Sequence, residues 1–166
     1  MSKINTLGYF DTKGNKKCPY KDLISDRGFS EKLFYFPDGL PGFKDNKEFA
    51  FLFSKNSNPF ILMNFCGETK LSFMCLDPFC VLPNYKPVLS NEDKLLLNVM
   101  SKSEIVFLSI VKIDKKCIEE GNFSEGELII KSPLAINPKN YYGKQIVISN
   151  AEYLEPHKFK DIKKME

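Results

Sequence analysis

Short apolar segments alternating with turn-forming residues set the pattern of this chain from Leu33 onward. Residues 33–36 (Leu-Phe-Tyr-Phe) predict a strand stopped by Pro37-Asp38-Gly39. Residues 48–53 predict a second, bounded by the polar stretch 54–59, and residues 60–65 a third, ended by Cys66-Gly67-Glu68. The connection around Gly67 is short enough for a hairpin. Residues 70–76 predict a fourth strand with Leu71, Phe73 and Cys75 on one face and Ser72 and Met74 on the other, because side chains alternate along a strand. Asp77-Pro78 closes it. One helix is predicted after Ser90: Asp93 three residues on fits a capping box, and Leu95, Leu96, Val99 and Met100 then share a face. Residues 104–113 are apolar nearly throughout, the pattern of a strand buried on both sides.

A loop carries Glu119, Glu120, Gly121, Glu125 and Gly126. Strands at 127–131 and 145–149 then flank the segment Ser132-Pro133-Leu134-Ala135-Ile136-Asn137. Upstream, a short strand at 4–10 precedes a polar, Lys-rich loop at 11–22, in which Gly14 and Pro19 break any regular element. The tail from Pro156 is Lys-rich, and its pattern is that of a helical or frayed end. Many short strands with frequent turns and one helix predict a mainly β fold. The expected architecture is a small closed or partly closed antiparallel β-barrel with one or two short helices. Closure removes exposed sheet edges. The expected domain limits are 1–32 for an N-terminal strand and arm, 33–155 for the barrel, and 156–166 for the tail.

Composition narrows the function. The chain has 166 residues, enough for one core, and fifteen Phe and seven Tyr supply much of it. No segment approaches the roughly 20 apolar residues that span a bilayer, and the N-terminus has no apolar signal core. Five cysteines, an odd number, make no disulfide framework. A cytoplasmic protein with no membrane association is the expectation. The net charge of +3 rests on lysine, since Arg27 is the sole arginine. Readers of bases and phosphates favour the planar fork of arginine, so no direct nucleic-acid partner is expected.

Candidate chemistry is sparse. Cys66, Cys75 and Cys80 lack the second short-spaced pair that a structural zinc site uses, and Cys75 alternates with Leu71 and Phe73 as a small hydrophobe would. His157, the only histidine, lies in the polar tail, where a general base would be poorly held. No phosphate-cradling or nucleophile-elbow motif is present. No enzyme, no cofactor and no metal are expected. What stands out instead is a set of stiff turns. Gly39-Leu40-Pro41-Gly42 places two glycines around a proline, with Phe36 and Phe43 on either side. Ser132-Pro133 and Asn137-Pro138 frame an apolar stretch in the same way. Rigid loops on a β scaffold present recognition surfaces.

These turns carry a resemblance to FliW, the bacterial flagellar assembly factor family, over about residues 33–153. Phe36-Pro37-Asp38-Gly39-Leu40-Pro41-Gly42-Phe43 is similar to the family's Phe-x-x-Gly-Leu-Pro-Gly-Phe segment. Pro59-Phe60, Leu71-Ser72-Phe73 and Asp77-Pro78-Phe79 with Tyr85 follow in order. Pro133-Leu134-Ala135-Ile136-Asn137 matches a Pro-hydrophobic-x-hydrophobic-Asn block, and Gly143-Lys144-Gln145 a Gly-x-Gln. The resemblance implies a β-barrel-like fold and a non-enzymatic role in the cytoplasm. It implies two protein partners, flagellin and CsrA, a dimeric RNA-binding translational repressor. Binding CsrA would relieve repression of flagellin messenger RNA, and free flagellin would displace it. The chain departs from the family in having Lys44 where an acidic residue is common, Glu127-Leu128 where Asn-Leu is usual, and a net positive charge. Its first thirty residues have no clear counterpart. The acidic loop with Glu119, Glu120 and Glu125 is expected to supply a local negative patch for CsrA. The expected protein-binding residues are Gly39, Leu40, Pro41, Gly42, Phe43, Asp77, Pro78, Phe79, Glu119, Glu120, Pro133, Asn137 and Gln145. The competing reading is a small β-barrel RNA-binding protein, which exposes basic, aromatic faces and loses affinity steeply with salt.

Overall fold

A computed structural model describes residues 20–53, 60–100, 104–122, 125–148 and the backbone of 157–158, with no side-chain description for Ile118. The strand expected at 4–10, most of the Lys-rich loop and the polar stretch 54–59 lie outside the described residues. Nine strands are described: β1 Phe34–Tyr35, β2 Glu48–Phe53, β3 Ile61–Phe65, β4 Ser72–Leu76, β5 Val106–Lys112, β6 Glu127–Leu128, β7 Leu134–Asn137, β8 Tyr142–Gln145 and β9 His157–Lys158. Two short helices accompany them, α1 Asn91–Leu96 and α2 Lys115–Glu119.

The sheet closes on itself. Its order β4-β3-β2-β1-β8-β7-β5 returns to β4 through a β4–β5 pairing, a seven-stranded barrel, and β6 and β9 extend from β5. Every pairing is antiparallel except β1 with β8, where Tyr35 lies beside Tyr142 in parallel. A closed ring leaves no edge along those seven strands to template aggregation.

Period-two alternation splits the apolar side chains between two cores. Registered neighbours share a face, so Phe51, Met63 and Phe73 form one row across β2, β3 and β4. They join Phe34, Phe36, Phe49, Ile61, Cys75, Leu108, Leu134 and Ile136 inside the barrel. The rings meet edge to face, Phe34 with Phe51 at 5.2 Å and Phe36 with Phe49 at 5.4 Å, the arrangement the ring quadrupole favours. Cys75 is fully buried there, and burial pushes its thiol far above the ordinary value, so it packs as the small hydrophobe expected. The alternate residues face outward into a second core of Leu76, Val111, Ala135 and Ile146, roofed by Val81, Tyr85 and Leu97 from the segment after β4. The expectation that 104–113 is buried on both sides is met in β5: Leu108 faces the barrel interior and Val111 the outer core.

Ser109, also on β5, is fully buried, and its Oγ has no hydrogen-bond partner among the described residues. An unpaired buried hydroxyl costs about 1 kcal/mol or more. Ser109→Ala therefore raises the unfolding free energy by about 1 kcal/mol, measurable as a higher urea midpoint with unchanged slope. A lowered midpoint would mean that the hydroxyl is satisfied in solution.

Several expectations are corrected. The apolar stretch framed by Ser132-Pro133 and Asn137-Pro138 was expected only to lie between two strands, but it is itself largely a strand: Leu134–Asn137 is β7, buried at all four positions. Pro133 sits just before it, where a strand tolerates proline, and its carbonyl accepts from Ile146 N at 2.9 Å. The following strand begins earlier than expected, at Tyr142. Only Glu127–Leu128 of the expected 127–131 strand is regular. The loop containing Glu119 begins as the helix α2. The tail pairs in part as a strand, with His157 opposite Leu128 in the β6–β9 ladder.

The upstream segment also joins the packed unit before residue 33. Tyr20 and Leu23 are buried in the barrel core, the Tyr20 ring lies 5.2 Å from that of Phe53, and Phe29 bridges to Leu52.

The α1 capping box is present as expected. Ser90 Oγ accepts from Asp93 N at 3.1 Å, and Ser90 N donates to Asp93 Oδ2 at 3.4 Å. The expected apolar face is not. Leu96 and Val99 pack on the outer core, but Leu95 and Met100 are 82% and 81% exposed, and Leu97 is fully buried instead. Asn98 adopts φ 51°, Asn98 N donates to Leu95 O and Val99 N to Lys94 O. This left-handed stop ends the helix, and the 3.6-residue period with it. Among the described residues no helix is long and apolar enough to cross a membrane.

Candidate functional site

The Gly-Leu-Pro-Gly turn joins β1 to β2 and is fixed from both ends. Phe36 N donates to Lys47 O at 2.7 Å and Gly39 N to Phe36 O at 2.9 Å. Leu40 and Phe43 then exchange backbone hydrogen bonds at 3.3 and 2.7 Å. Gly39 and Gly42 hold φ of 61° and 82°, the region that favours glycine. The side chains diverge: Leu40 is buried in the barrel, whereas Phe43 is 39% exposed with its ring 5.6 Å from that of Phe73. Phe36, on the other side of the turn, is fully buried.

This turn borders a concavity of about 360 Å³ lined by Asp38, Gly39, Leu40, Pro41, Gly42, Lys44, Lys144 and Gln145. Five of the expected site residues therefore meet at one place, with Phe43 beside them. Gln145 is itself held, its Nε2 donating to Ser132 O at 2.9 Å. Sequence reasoning missed Lys144, although it sits in the Gly143-Lys144-Gln145 motif, and it missed the ion pair that positions it. Lys144 Nζ lies 2.6 Å from Asp93 Oδ1, tying β8 to α1. Asp93 is 6% exposed. Burial pushes its carboxyl up, but hydrogen bonds from Lys144 and Ser90 prevail and hold it below the ordinary 3.8. Lys144 is raised above 10.5 by its hydrogen bond to Asp93, against its own burial, with the fields of Asp93, Asp38 and Glu92 adding to the rise.

The pair's pH window follows from those directions. A depressed carboxyl stabilises the fold above its unfolded value, and the contribution is lost as pH falls through the lower folded one. A raised ammonium stabilises below its unfolded value, and that contribution is lost as pH climbs through the higher folded one. Asp93→Asn is expected to cost about 2 kcal/mol at neutral pH, discounted from a fully buried pair because Lys144 is partly exposed. Denaturant titrations across pH should show the gap to wild type closing below 3.8 and above 10.5. A gap of equal size at every pH would show that the charge is irrelevant.

The other expected residues lie elsewhere. Asp77 caps a 3-10 turn over Pro78–Cys80, its Oδ1 accepting from Phe79 N at 2.9 Å. Its own N donates to Tyr20 Oη at 3.2 Å, and burial raises its carboxyl against the bonds from Phe79 and Cys80. Pro78 is buried beneath, while Phe79 stays partly exposed against the rings of Tyr85 and Phe107 at 5.8 and 6.4 Å. Glu119 and Glu120 are exposed at the end of α2 and do not line the concavity. Pro133 and Asn137 are buried. Asn137 serves the fold: its Nδ2 donates to Leu97 O at 2.8 Å and its Oδ1 accepts from Lys139 N at 3.1 Å. Asn140 Nδ2 reaches the same Leu97 carbonyl at 2.9 Å. Among the described residues no three metal-ligating side chains converge.

Comparison with known proteins gives one consistent result. The family model described as FliW protein matches residues 27–159. A flagellar assembly factor FliW of Thermotoga neapolitana is 28% identical over 127 residues, covering 76% of this chain and 82% of that protein. One from Borrelia duttonii is 33% identical over 127 residues, covering 76% of this chain and 92% of that protein. A crystal structure of the flagellar assembly factor FliW superposes with a TM-score of 0.67 at 23% identity, covering 82% of this chain and 88% of the other. That structure supports the barrel, and the matched span takes in the turn, the concavity and the Lys144–Asp93 pair. The chain belongs to the FliW family of flagellar assembly factors.

Proposed function

We propose that this protein binds flagellin and CsrA in the cytoplasm and regulates flagellin synthesis by exchanging one for the other, with no bond-making chemistry of its own. CsrA bound here is withdrawn from flagellin messenger RNA, and accumulating flagellin displaces it. Such a switch needs two protein surfaces and differential affinity. The observation that carries the reading is the Gly39–Phe43 turn: stiff, anchored in the barrel core through Leu40, and presenting Phe43 beside a concavity rimmed by Lys44. Aromatic anchors on rigid supports are what protein interfaces use.

The test is size-exclusion chromatography of the purified chain with flagellin and with CsrA from the same organism. Co-elution with each is expected, and excess flagellin should release CsrA. Phe43→Ser should weaken at least one complex by about tenfold. Reversing Glu119, Glu120 and Glu125 to Lys should weaken the CsrA complex severalfold and make its salt dependence shallower. Absence of both complexes would end the proposal, and unchanged CsrA affinity would remove the end of α2 from that interface.

A further inference from the structure

Helix α1 cannot stand on its own backbone bonds. Its six residues fall well short of the roughly 12 that an isolated helix needs in water. It is held to the barrel by polar bonds at both ends. At the C-terminal end the Leu97 carbonyl accepts from Asn137 Nδ2 and Asn140 Nδ2 at 2.8 and 2.9 Å, and the Leu97 side chain is fully buried. At the N-terminal end Asp93 closes the capping box with Ser90 and takes the ammonium of Lys144 at 2.6 Å.

The two anchors differ in what else they touch. Neither asparagine lines the concavity beside the Gly39–Phe43 turn, whereas Lys144 does, with its side chain 25% exposed. The charges around its ammonium lie on two elements. Asp93 and Glu92 act from α1, the first by contact and the second through its field. Asp38 acts from the turn through its field and lines the concavity, and so does Lys44, which carries the opposing charge. Lys144 is thus pulled toward the helix by two acids, toward the turn by one, and pushed from the turn by a cation.

Lysine carries its charge on a flexible four-carbon stem, so the head group can leave Asp93 while β8 stays in place. Its departure strands a buried carboxylate, which is costly. Opening the first turn of α1 to water relieves that cost, and the buried Leu97 keeps the other end anchored.

We propose that Lys144 is a latch shared by the concavity and α1: an anionic group in the concavity draws its ammonium from Asp93 and frees the N-terminal end of the helix, and a cationic group drives it back. The coupling is reciprocal, so a well-formed α1 holds Lys144 back and lowers the affinity of the concavity for anions. It applies to any charged occupant and stands or falls independently of flagellin and CsrA.

Hydrogen exchange of the full chain, followed by NMR, reads the opening of α1. The reporters are the Lys94 and Leu97 amides, which donate to Ser90 O and Asp93 O at 3.0 Å each. Lys44→Glu puts a carboxylate on the rim and should speed their exchange about threefold, the scale of a partly exposed ion pair. Asp38→Asn removes a competing carboxylate and should slow it by a similar factor. Both effects should vanish in a Lys144→Met background, in which exchange at α1 is itself faster by about tenfold. Asp38 and Lys44 are exposed, so both charge variants keep the fold, which thermal melting checks, and the amides of β2 and β3 should not change. The proposal is overturned if neither charge variant alters exchange at α1, if the changes persist without Lys144, or if they spread equally to β2 and β3. Exchange at α1 that ignores Lys144→Met would overturn it as well.

Discussion

Gly39→Ala lowers the unfolding free energy by about 3 kcal/mol, whereas Gly42→Ala, three residues on in the same turn, lowers it by only about 1 kcal/mol. Both glycines have positive φ, 61° and 82°, so each alanine meets the left-handed penalty. Their surroundings differ. A Cβ on Gly39 would stand 2.6 Å from the Cα, C and O of Lys44, whereas a Cβ on Gly42 meets nothing within 4 Å. The clash at Gly39 is with backbone, and the Leu40–Phe43 hydrogen bonds hold that backbone in place. Denaturant midpoints of the two variants check this directly. Equal losses would mean that the turn relaxes freely and is not the stiff support required of a recognition loop. If the turn carries an interface, Gly42→Ala should leave partner binding nearly intact, because the side chains it would carry are undisturbed.

A loss of about 3 kcal/mol is also expected for Gly143→Ala, at the upper end of what overpacking costs. Gly143 is buried on β8, opposite Ile136 of β7. A Cβ there would lie 2.4 Å from Cζ of Phe36 and 2.7 Å from both Cε atoms. The Phe36 ring is fully buried and packs on Phe49, so it cannot swing aside into solvent. The double variant Gly143→Ala with Phe36→Leu should recover part of the loss, since the smaller side chain vacates the space the methyl needs. Additive losses in that cycle would mean that the two positions do not meet. The close approach joins two residues far apart in the chain, Gly143 on β8 and Phe36 beside the β1–β2 turn.

Much of the fold was legible because local patterning is enough to specify it. Residues 48–53 and 60–65 are short, mostly apolar runs bounded by turn-forming residues, which marks a strand whatever its partner. Those strands appear at or within one residue of the expected limits. The capping box at Ser90 was equally local and is present. Where an apolar stretch is very short, the pattern is silent. Leu134–Asn137 is four residues between Pro133 and Pro138, too short for its pattern to name an element, and only burial between the barrel core and the outer core makes it a strand. The apolar face predicted for α1 failed for a related reason. Helical periodicity applies only while the helix continues, and Asn98 ends it.

The sequence by itself determined a Phe-rich barrel, its stiff glycine-proline corners and the family, because each rests on residues close together in the chain. The tertiary structure decided which motif residues reach the surface. Phe43 and Phe79 do, while Asn137 and Pro133 are spent inside the fold. It also decided that Lys144 faces the turn while bonded to Asp93, 51 residues away. Burial and long-range pairing depend on how distant strands register once the barrel closes, and that sum of contacts is not written in any single stretch of chain.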